Sequence, residues 1–179
     1  VLPFSKFPGT DTLLGPEMRS TGEVMGLDTD FGRAFAKAQI GAGQSIPTSG
    51  TVFISVSDRD KAAAVEIALD LAALDFRIVS TEGTQQYLRS HGIEAEKLLK
   101  LHEGRPHVID AIKNGDMQLI INTPSGGEAQ ADGRKIRRTA LLYKIPLVTT
   151  LAGAKATTAA IKSLRSGQLA VKSLQEYHH

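Results

Sequence analysis

The stretch at residues 51–80, TVFISVSDRDKAAAVEIALDLAALDFRIVS, decides the fold class. It opens with TVFISV and closes with FRIVS, two runs of strand length that are rich in β-branched and aromatic residues. Between them lie apolar residues at helical spacing, Ala64, Ile67, Leu71 and Leu74. A strand, a helix and a second strand in this order predict a right-handed crossover and two parallel strands.

The same alternation continues to the end of the chain. Further strands are predicted at 96–101, 117–122, 146–150 and 169–174, and further helices at 84–90, 105–113, 133–143 and 153–166. The sequence therefore predicts an α/β domain with a parallel sheet of five to six strands and helices on both faces.

The first 48 residues follow a different pattern. Three prolines and four glycines before residue 27 predict a loop-rich segment, and DFGRAFAKAQ at 30–39 predicts one short helix. GAGQSIPTSG at 41–50 reads as a linker. We therefore divide the chain into a leading segment, residues 1–48, and a domain, residues 49–179.

Composition excludes several classes of protein. The 21 Lys and Arg residues nearly balance the 19 Asp and Glu residues, and a net charge of +2 does not favour non-specific nucleic-acid binding. The absence of cysteine excludes disulfides, thiolate zinc sites and a cysteine nucleophile. No apolar run approaches the ~20 residues of a membrane span, so a cytoplasmic protein without membrane contact is expected. The first residue, Val1, and the last two, His178 and His179, favour a fragment of a longer protein that carries part of a tag.

Two predicted loops at the carboxyl ends of strands have the chemistry of an anion site. STEGT at 80–84 and NTPSGG at 122–127 combine hydroxyl groups with glycines at predicted helix starts, where free N–H groups bind phosphate. Lys61, Lys100 and Arg105 are candidates for the positive charge. The alternative interpretation is that these residues only cap helices and form turns.

Two other clusters have simpler interpretations. HEGRPH at 102–107 suggests a metal site, but its spacing is not that of two helical ligands, and a loop before a helix with Pro106 in its first turn explains it better. The basic residues at 134–144 suggest nucleic-acid binding, but the solvated face of a helix with Ile136, Ala140 and Leu141 inward is the simpler interpretation.

Four segments carry a family resemblance. LGPEMRSTGEVMG at 14–26 resembles the end of the second ATP-grasp synthetase unit in the large subunit of glutamine-hydrolysing carbamoyl-phosphate synthase. FAKAQ at 35–39, HEGRPH at 102–107 and INTPSG at 121–126 resemble the C-terminal allosteric domain that follows it. The resemblance covers essentially the whole chain and implies that residues 1–48 are the tail of that synthetase unit with a linker.

The resemblance implies a methylglyoxal-synthase-like fold and a regulatory function. Such domains in bacteria bind nucleoside monophosphates, UMP as inhibitor and IMP as activator, and the parent enzyme makes carbamoyl phosphate from bicarbonate, glutamine-derived ammonia and ATP for arginine and pyrimidine synthesis. No cofactor is expected in this chain, whereas ATP and Mg²⁺ or Mn²⁺ belong to the synthetase units. The implied partners are the nucleotide, the rest of the large subunit, the glutaminase small subunit and other copies in an oligomer.

The resemblance also implies a set of effector-binding residues. Four of them match family positions that hold the nucleotide chiefly through its phosphate, and Asn122 matches one on the ribose and base side. The full set is Lys61, Thr81, Thr84, Lys100, Asn122, Thr123 and Ser125. No catalytic or metal-binding residue is expected.

Two departures from the family pattern affect regulation. Pro124 stands where the family has threonine, so one nucleotide contact is lost and the effector preference is open. Val148 stands where the family has an aspartate in the ornithine region, and valine cannot pair with an ammonium, so we expect weak or no ornithine activation.

Two alternatives to an effector domain remain. A free-standing methylglyoxal synthase needs an aspartate base, but the aligned position is Arg105, whose pKa above ~12 prevents it from acting as a base at neutral pH. A structural domain with an empty pocket, serving as an oligomer interface, is the other alternative.

Overall fold

The structure, a computed structural model, describes residues 7, 11–13, 22–123, 127–167 and 169–177. The helices in this part of the chain are α1 (Phe31–Gly41), α2 (Lys61–Ala73), α3 (Glu82–Ser90), α4 (Val108–Lys113), α5 (Gly127–Leu142) and α6 (Leu151–Ser166). The strands are β1 (Thr51–Val56), β2 (Arg77–Ser80), β3 (Glu96–Lys97), β4 (Leu119–Thr123) and β5 (Leu147–Val148). Short 3₁₀ helices lie at Asp58–Asp60 and Gln175–Tyr177.

The five strands form one parallel sheet in the order β3-β2-β1-β4-β5. From β1 the chain first builds outward through β2 and β3, and then returns to the other side of β1 for β4 and β5. The strand order therefore reverses between β1 and β4, where Ser55 lies opposite Asn122 and Val56 opposite Thr123. In open parallel sheets such a reversal opens a crevice at the carboxyl ends of the strands, where ligands bind.

The core consists of two layers, one on each face of the sheet. Side chains of β1 such as Val52 and Ile54 pack with α2, α3 and α6, while Phe53 faces α4 and α5. The alternation arises because successive strand residues point to opposite faces. The predicted α/β sheet with helices on both faces is confirmed.

The prediction of a sixth strand at 169–174 is wrong. Residues 169–173 are irregular, Val171 is almost fully exposed, and the short helix Gln175–Tyr177 follows. Contacts with the leading segment hold this end instead: the Tyr177 hydroxyl donates to the carbonyl oxygen of Leu27, 3.0 Å away. An alternating sequence needs a strand to pair with, and β5 at this edge is only two residues long.

The other expected elements exist with shifted boundaries. The predicted strand 96–101 shortens to β3 and one isolated bridge between Leu99 and His107. Helix α4 begins at Val108 rather than at residue 105, because His107 caps it in a reciprocal pair of hydrogen bonds with Asp110. Pro106 thus lies before the helix, not in its first turn.

Part of the leading segment packs on the domain. Helix α1 lies against α6 so closely that a Cβ on Gly32 would collide with the backbone of Ala159. At the start of this region the Lys37 ammonium contacts Asp28 at 2.7 Å and the Tyr177 hydroxyl at 3.4 Å. The contact with Tyr177 joins α1 to the C-terminal end of the described residues.

The contact between Asp28 and Lys37 is expected to make a contribution to stability that depends on pH. The hydrogen bond from Lys37 lowers the pKa of the Asp28 carboxyl to about 2. A lowered pKa means that this contribution to stability is complete above the ordinary value of 3.8 and is lost as the pH falls towards 2. We expect a carboxyl-carbon NMR titration of Asp28 with a midpoint near 2, which rises in Lys37→Met because the largest cause of the lowered pKa is removed. An ordinary midpoint in the unmodified chain would refute this contact.

Candidate anion-binding site

A cavity of about 300 Å³ lies at the carboxyl edge of the sheet, at the reversal between β1 and β4. Five of the seven residues predicted to bind an effector line it: Lys61, Thr81, Thr84, Lys100 and Asn122. They come from the start of α2, from the end of β2 and the first turn of α3, from the loop after β3 and from β4, so residues distant in sequence converge on one space.

The first turn of α3 forms one wall of the cavity. Thr81 caps this helix with its carbonyl oxygen, which accepts from the N–H groups of Thr84 and Gln85, so the N–H groups of Glu82 and Gly83 precede the first hydrogen bonds of the helix. Gly83 has no side chain to cover them. Free N–H groups and the positive end of the helix dipole together favour an anion at this position.

Two hydroxyl groups connect this turn to β1. Thr81 Oγ1 lies 3.0 Å from Ser55 Oγ, and Thr84 Oγ1 accepts a hydrogen bond from the N–H of Val56 at 3.3 Å. Because Thr84 accepts there, its own hydroxyl proton remains available to a ligand in the cavity. Thr84 is buried, so its position is fixed before any ligand arrives.

The Lys61 ammonium lies beside the same turn. Its side chain is only 18% exposed, and Nζ lies 3.4 Å from the position that a Cβ on Gly83 would occupy. Nζ also lies 2.7 Å from Asp58 Oδ1 and 5.9 Å from the centre of the Tyr87 ring. The cation is therefore held against the α3 N-terminus, where a phosphate would contact both.

Asn122 lines the cavity and carries a buried hydrogen-bond acceptor. Its Nδ2 donates to the carbonyl oxygen of Ser55 at 3.2 Å, which fixes the orientation of the amide. Its Oδ1 is buried and has no hydrogen-bond partner among the described residues. A buried acceptor without a partner is costly, and a ligand hydroxyl or N–H group would satisfy it.

Thr123 does not line the cavity. Its hydroxyl donates to Asp60 Oδ2 at 2.7 Å, and both its hydroxyl and its carbonyl oxygen accept from the N–H of Ser57. Two hydroxyl groups, those of Thr123 and Ser57, lower the pKa of the Asp60 carboxyl. Thr123 therefore ties the end of β4 to the loop that precedes Lys61. Ser125 and Pro124 lie outside the described residues.

Removing the Thr123 hydroxyl should affect stability more than ligand binding. We expect Thr123→Val to lower the free energy of unfolding by about 1–3 kcal/mol, because the Asp60 carboxylate and the Ser57 N–H lose a partner. Direct contact with a ligand is not lost, so UMP affinity should stay within about threefold. Denaturant unfolding and calorimetry of the same variant separate the two effects. Unchanged stability with abolished UMP binding would instead place Thr123 in the site.

Several residues of the cavity were not among the predicted effector-binding residues. Asp132, Gly133 and Ile136 line it from α5, and His102 lies beside them with Nδ1 3.7 Å from Asp132 Oδ2. The predicted start of this helix at residue 133 left Asp132 out, because α5 begins at Gly127. Ile136 was expected to face inward, but not into a ligand cavity. The signal was the run of small and apolar residues at helical spacing that begins before residue 133.

Two other expectations about charge are settled by the structure. Arg105 does not line the cavity; its exposed guanidinium lies 3.8 Å from Asp110 Oδ1. Arg137 is not on the solvated face of its helix, since it is buried and forms two hydrogen bonds of 2.6 Å with Asp11. A buried and paired arginine cannot contribute to a basic surface that binds nucleic acid. Within the described residues no group of three or more His, Asp or Glu side chains forms a metal site.

The fold and the cavity together define a parallel α/β domain with a cavity at the carboxyl edge of its sheet. Residues 63–149 match the family described as MGS-like domain. This stretch belongs to the family, and the predicted resemblance to the domain at the C-terminal end of carbamoyl-phosphate synthase large chains is confirmed.

The relatives of the chain are large chains of this enzyme. It is 66% identical over 177 residues to the carbamoyl phosphate synthase large chain of Nostoc sp. and 67% identical over 178 residues to that of Synechocystis sp.. It is 51% identical over 178 residues to the chloroplastic, arginine-specific carbamoyl phosphate synthase large chain of Arabidopsis thaliana. Each alignment covers 99% of this chain but only 15–16% of the relative. None of the described helices combines the length and the hydropathy that a bilayer crossing requires.

Proposed function

We propose that this chain is the regulatory domain of a carbamoyl-phosphate synthase large chain, which binds a nucleoside monophosphate in the cavity and catalyses no reaction itself. The observation that carries the proposal is the convergence of the Lys61 ammonium, the Thr84 hydroxyl and the free N–H groups of α3 at one point. These groups supply charge and donors to a phosphate.

The rest of the cavity suits the remainder of a nucleotide. The unpartnered Asn122 Oδ1 accepts from a ribose hydroxyl or a base N–H, and the apolar side chains of Phe53, Val108 and Ile136 supply contact area. A cavity of about 300 Å³ is at the lower end of the range for small-molecule sites. UMP and IMP are the effectors that this proposal names.

Regulation then follows from differential affinity. An effector shifts an enzyme between two states only by binding one of them more tightly. In this proposal the effector binds at the carboxyl edge of the sheet. Residues 22–48, with α1 packed on α6, form the connection towards the synthetase units. The glutaminase small subunit, the ATP with Mg²⁺ or Mn²⁺ of those units, and a cytoplasmic location belong to the same proposal.

A lyase function is disfavoured by the residue at the aligned position of its base and by the ion pair of Asp58. Arg105 cannot serve as the base that methylglyoxal synthesis needs, and it lies outside the cavity. Asp58, which does line it, is ion-paired with Lys61, and this contact lowers its pKa and so weakens it as a base.

The region that resembles the family's ornithine site contains Val148 in place of the family's aspartate. Val148 lines a second, smaller space of about 210 Å³ between α1 and the start of α6, together with Thr149, Thr150 and Gln39. Among the described residues that line it there is no carboxylate. An ornithine ammonium would lack a counter-charge there, so the expectation of weak or absent ornithine binding stands as a prediction.

Calorimetric titration tests the proposed function. UMP and IMP should each bind saturably, inorganic phosphate should bind more weakly, and uridine should bind more weakly than UMP because it lacks the phosphate. Heats equal to dilution for both nucleotides would overturn the proposal. Turnover of dihydroxyacetone phosphate would show the lyase instead.

A further inference from the structure

One carboxylate, that of Asp58, already forms an ion pair with the Lys61 ammonium of the cavity. Asp58 Oδ1 lies 2.7 Å from Lys61 Nζ, and Asp58 itself lines the cavity. The Lys61 ammonium holds the pKa of this carboxyl below its ordinary value, so Asp58 is ionised at neutral pH. The two side chains differ greatly in exposure, at 18% for Lys61 and 95% for Asp58. The carboxylate therefore lies on the solvent side of a largely buried ammonium.

The neighbouring carboxylate, that of Asp60, has a structural role in the same loop. Asp60 Oδ2 accepts hydrogen bonds from Ser57 Oγ at 2.8 Å and from Thr123 Oγ1 at 2.7 Å, so two elements fix it. Among the described residues the Asp58 carboxylate contacts only the Lys61 ammonium. An exposed ion pair of this kind contributes little to stability and its carboxylate moves at little cost.

The same ammonium faces the position where an anion would bind. Lys61 Nζ lies against Gly83 in the first turn of α3, next to the free N–H groups. A phosphate at this position and the Asp58 carboxylate would both pair with the Lys61 ammonium. Because both are negatively charged and contact the same cation, they would repel each other.

We propose that Asp58 is an internal counter-ion that competes with the ligand's phosphate for Lys61 and so sets the affinity of the cavity for phosphate-bearing ligands. The inference rests on the proposed function and deepens it. In the free protein Asp58 neutralises Lys61. In the complex the phosphate takes its place, and the carboxylate turns into solvent, where its exposure already places it.

The test compares two variants that remove the same charge from the same region of the chain. Asp58→Asn removes the competitor, whereas Asp70→Asn removes an exposed carboxylate from α2 whose partner is Lys162, with Asp70 Oδ1 2.7 Å from Nζ. Each variant and the unmodified chain are titrated with UMP, inorganic phosphate and uridine at one fixed ionic strength, because salt screens exposed charges.

We expect Asp58→Asn to bind UMP and phosphate about two- to fivefold more tightly, in line with the strength of an exposed ion pair. Uridine affinity should not change, and Asp70→Asn should match the unmodified chain for all three ligands. Unchanged or weaker phosphate binding in Asp58→Asn would overturn the inference, since weaker binding would make Asp58 a residue that positions Lys61. Equal tightening in Asp70→Asn would also overturn it, as an effect of net charge alone.

The two proposals fail separately. If the unmodified chain binds neither UMP nor IMP, the proposed function is overturned. Asp58→Asn then decides the counter-ion inference by itself: phosphate binding that appears only in this variant supports competition, and no binding refutes it.

Discussion

Replacing Lys61 with methionine should weaken UMP binding by about ten- to hundredfold, because a charge-assisted hydrogen bond to phosphate contributes about 1.5–3 kcal/mol and each 1.4 kcal/mol is tenfold in affinity. Methionine keeps the apolar stem of this largely buried side chain and removes only the ammonium beside the α3 N-terminus. The loss should be smaller for uridine, which has no phosphate. Calorimetry of the purified variant measures both.

A matched control exists on α6, where an ion pair joins this helix to α2. Lys162 is also paired with a carboxylate, that of Asp70, but it does not line the cavity. Lys162→Met should therefore leave UMP affinity within about twofold. UMP binding by Lys61→Met that equals that of the unmodified chain would remove Lys61 from the site and with it the phosphate position.

Replacing Leu119 with alanine should have the largest effect on stability. Leu119 is fully buried in β4 and packs in the layer formed by α2, α3 and α6. Its truncation leaves a cavity in the core, which typically costs about 2–5 kcal/mol. For a chain of this size, that corresponds to a fall in Tm of roughly 5–15 °C.

The comparison is Leu142→Ala, at the end of α5. Leu142 is 76% exposed, so its truncation removes little buried surface and should change the free energy of unfolding by less than about 0.5 kcal/mol. Denaturant unfolding of both variants measures the difference. Similar stability for the two would contradict the placement of β4 in the core.

The sheet and its helices were predictable from local pattern alone. Runs such as TVFISV carry β-branched residues, and the spacing of Ile67 and Leu71 matches one face of a helix, so each segment specified its own element. The segment at 169–174 carried a similar alternation but found no partner strand, which shows that strand formation depends on pairing that local pattern does not contain.

The site was predictable only in part. The family resemblance named Lys61 and Thr84 because they match family positions that hold the nucleotide, and both line the cavity. Asp132 was missed because it lies in a helix whose start was placed too late, and its position beside His102 depends on packing between α5 and the loop after β3. Thr123 was expected to bind the effector, yet its hydroxyl contacts Asp60, a contact between distant segments that no motif reveals.

The central claim is that a phosphate binds at the N-terminus of α3, and an amide NMR titration of the chain with UMP tests it most directly. We predict saturable shifts of the Glu82 and Gly83 amide protons, the two groups that precede the hydrogen bonds of the helix, and no comparable shifts in Lys61→Met. Inorganic phosphate should shift the same two amides in the same direction. UMP binding that leaves both amides unmoved, or that shifts only residues outside the cavity, would contradict the account.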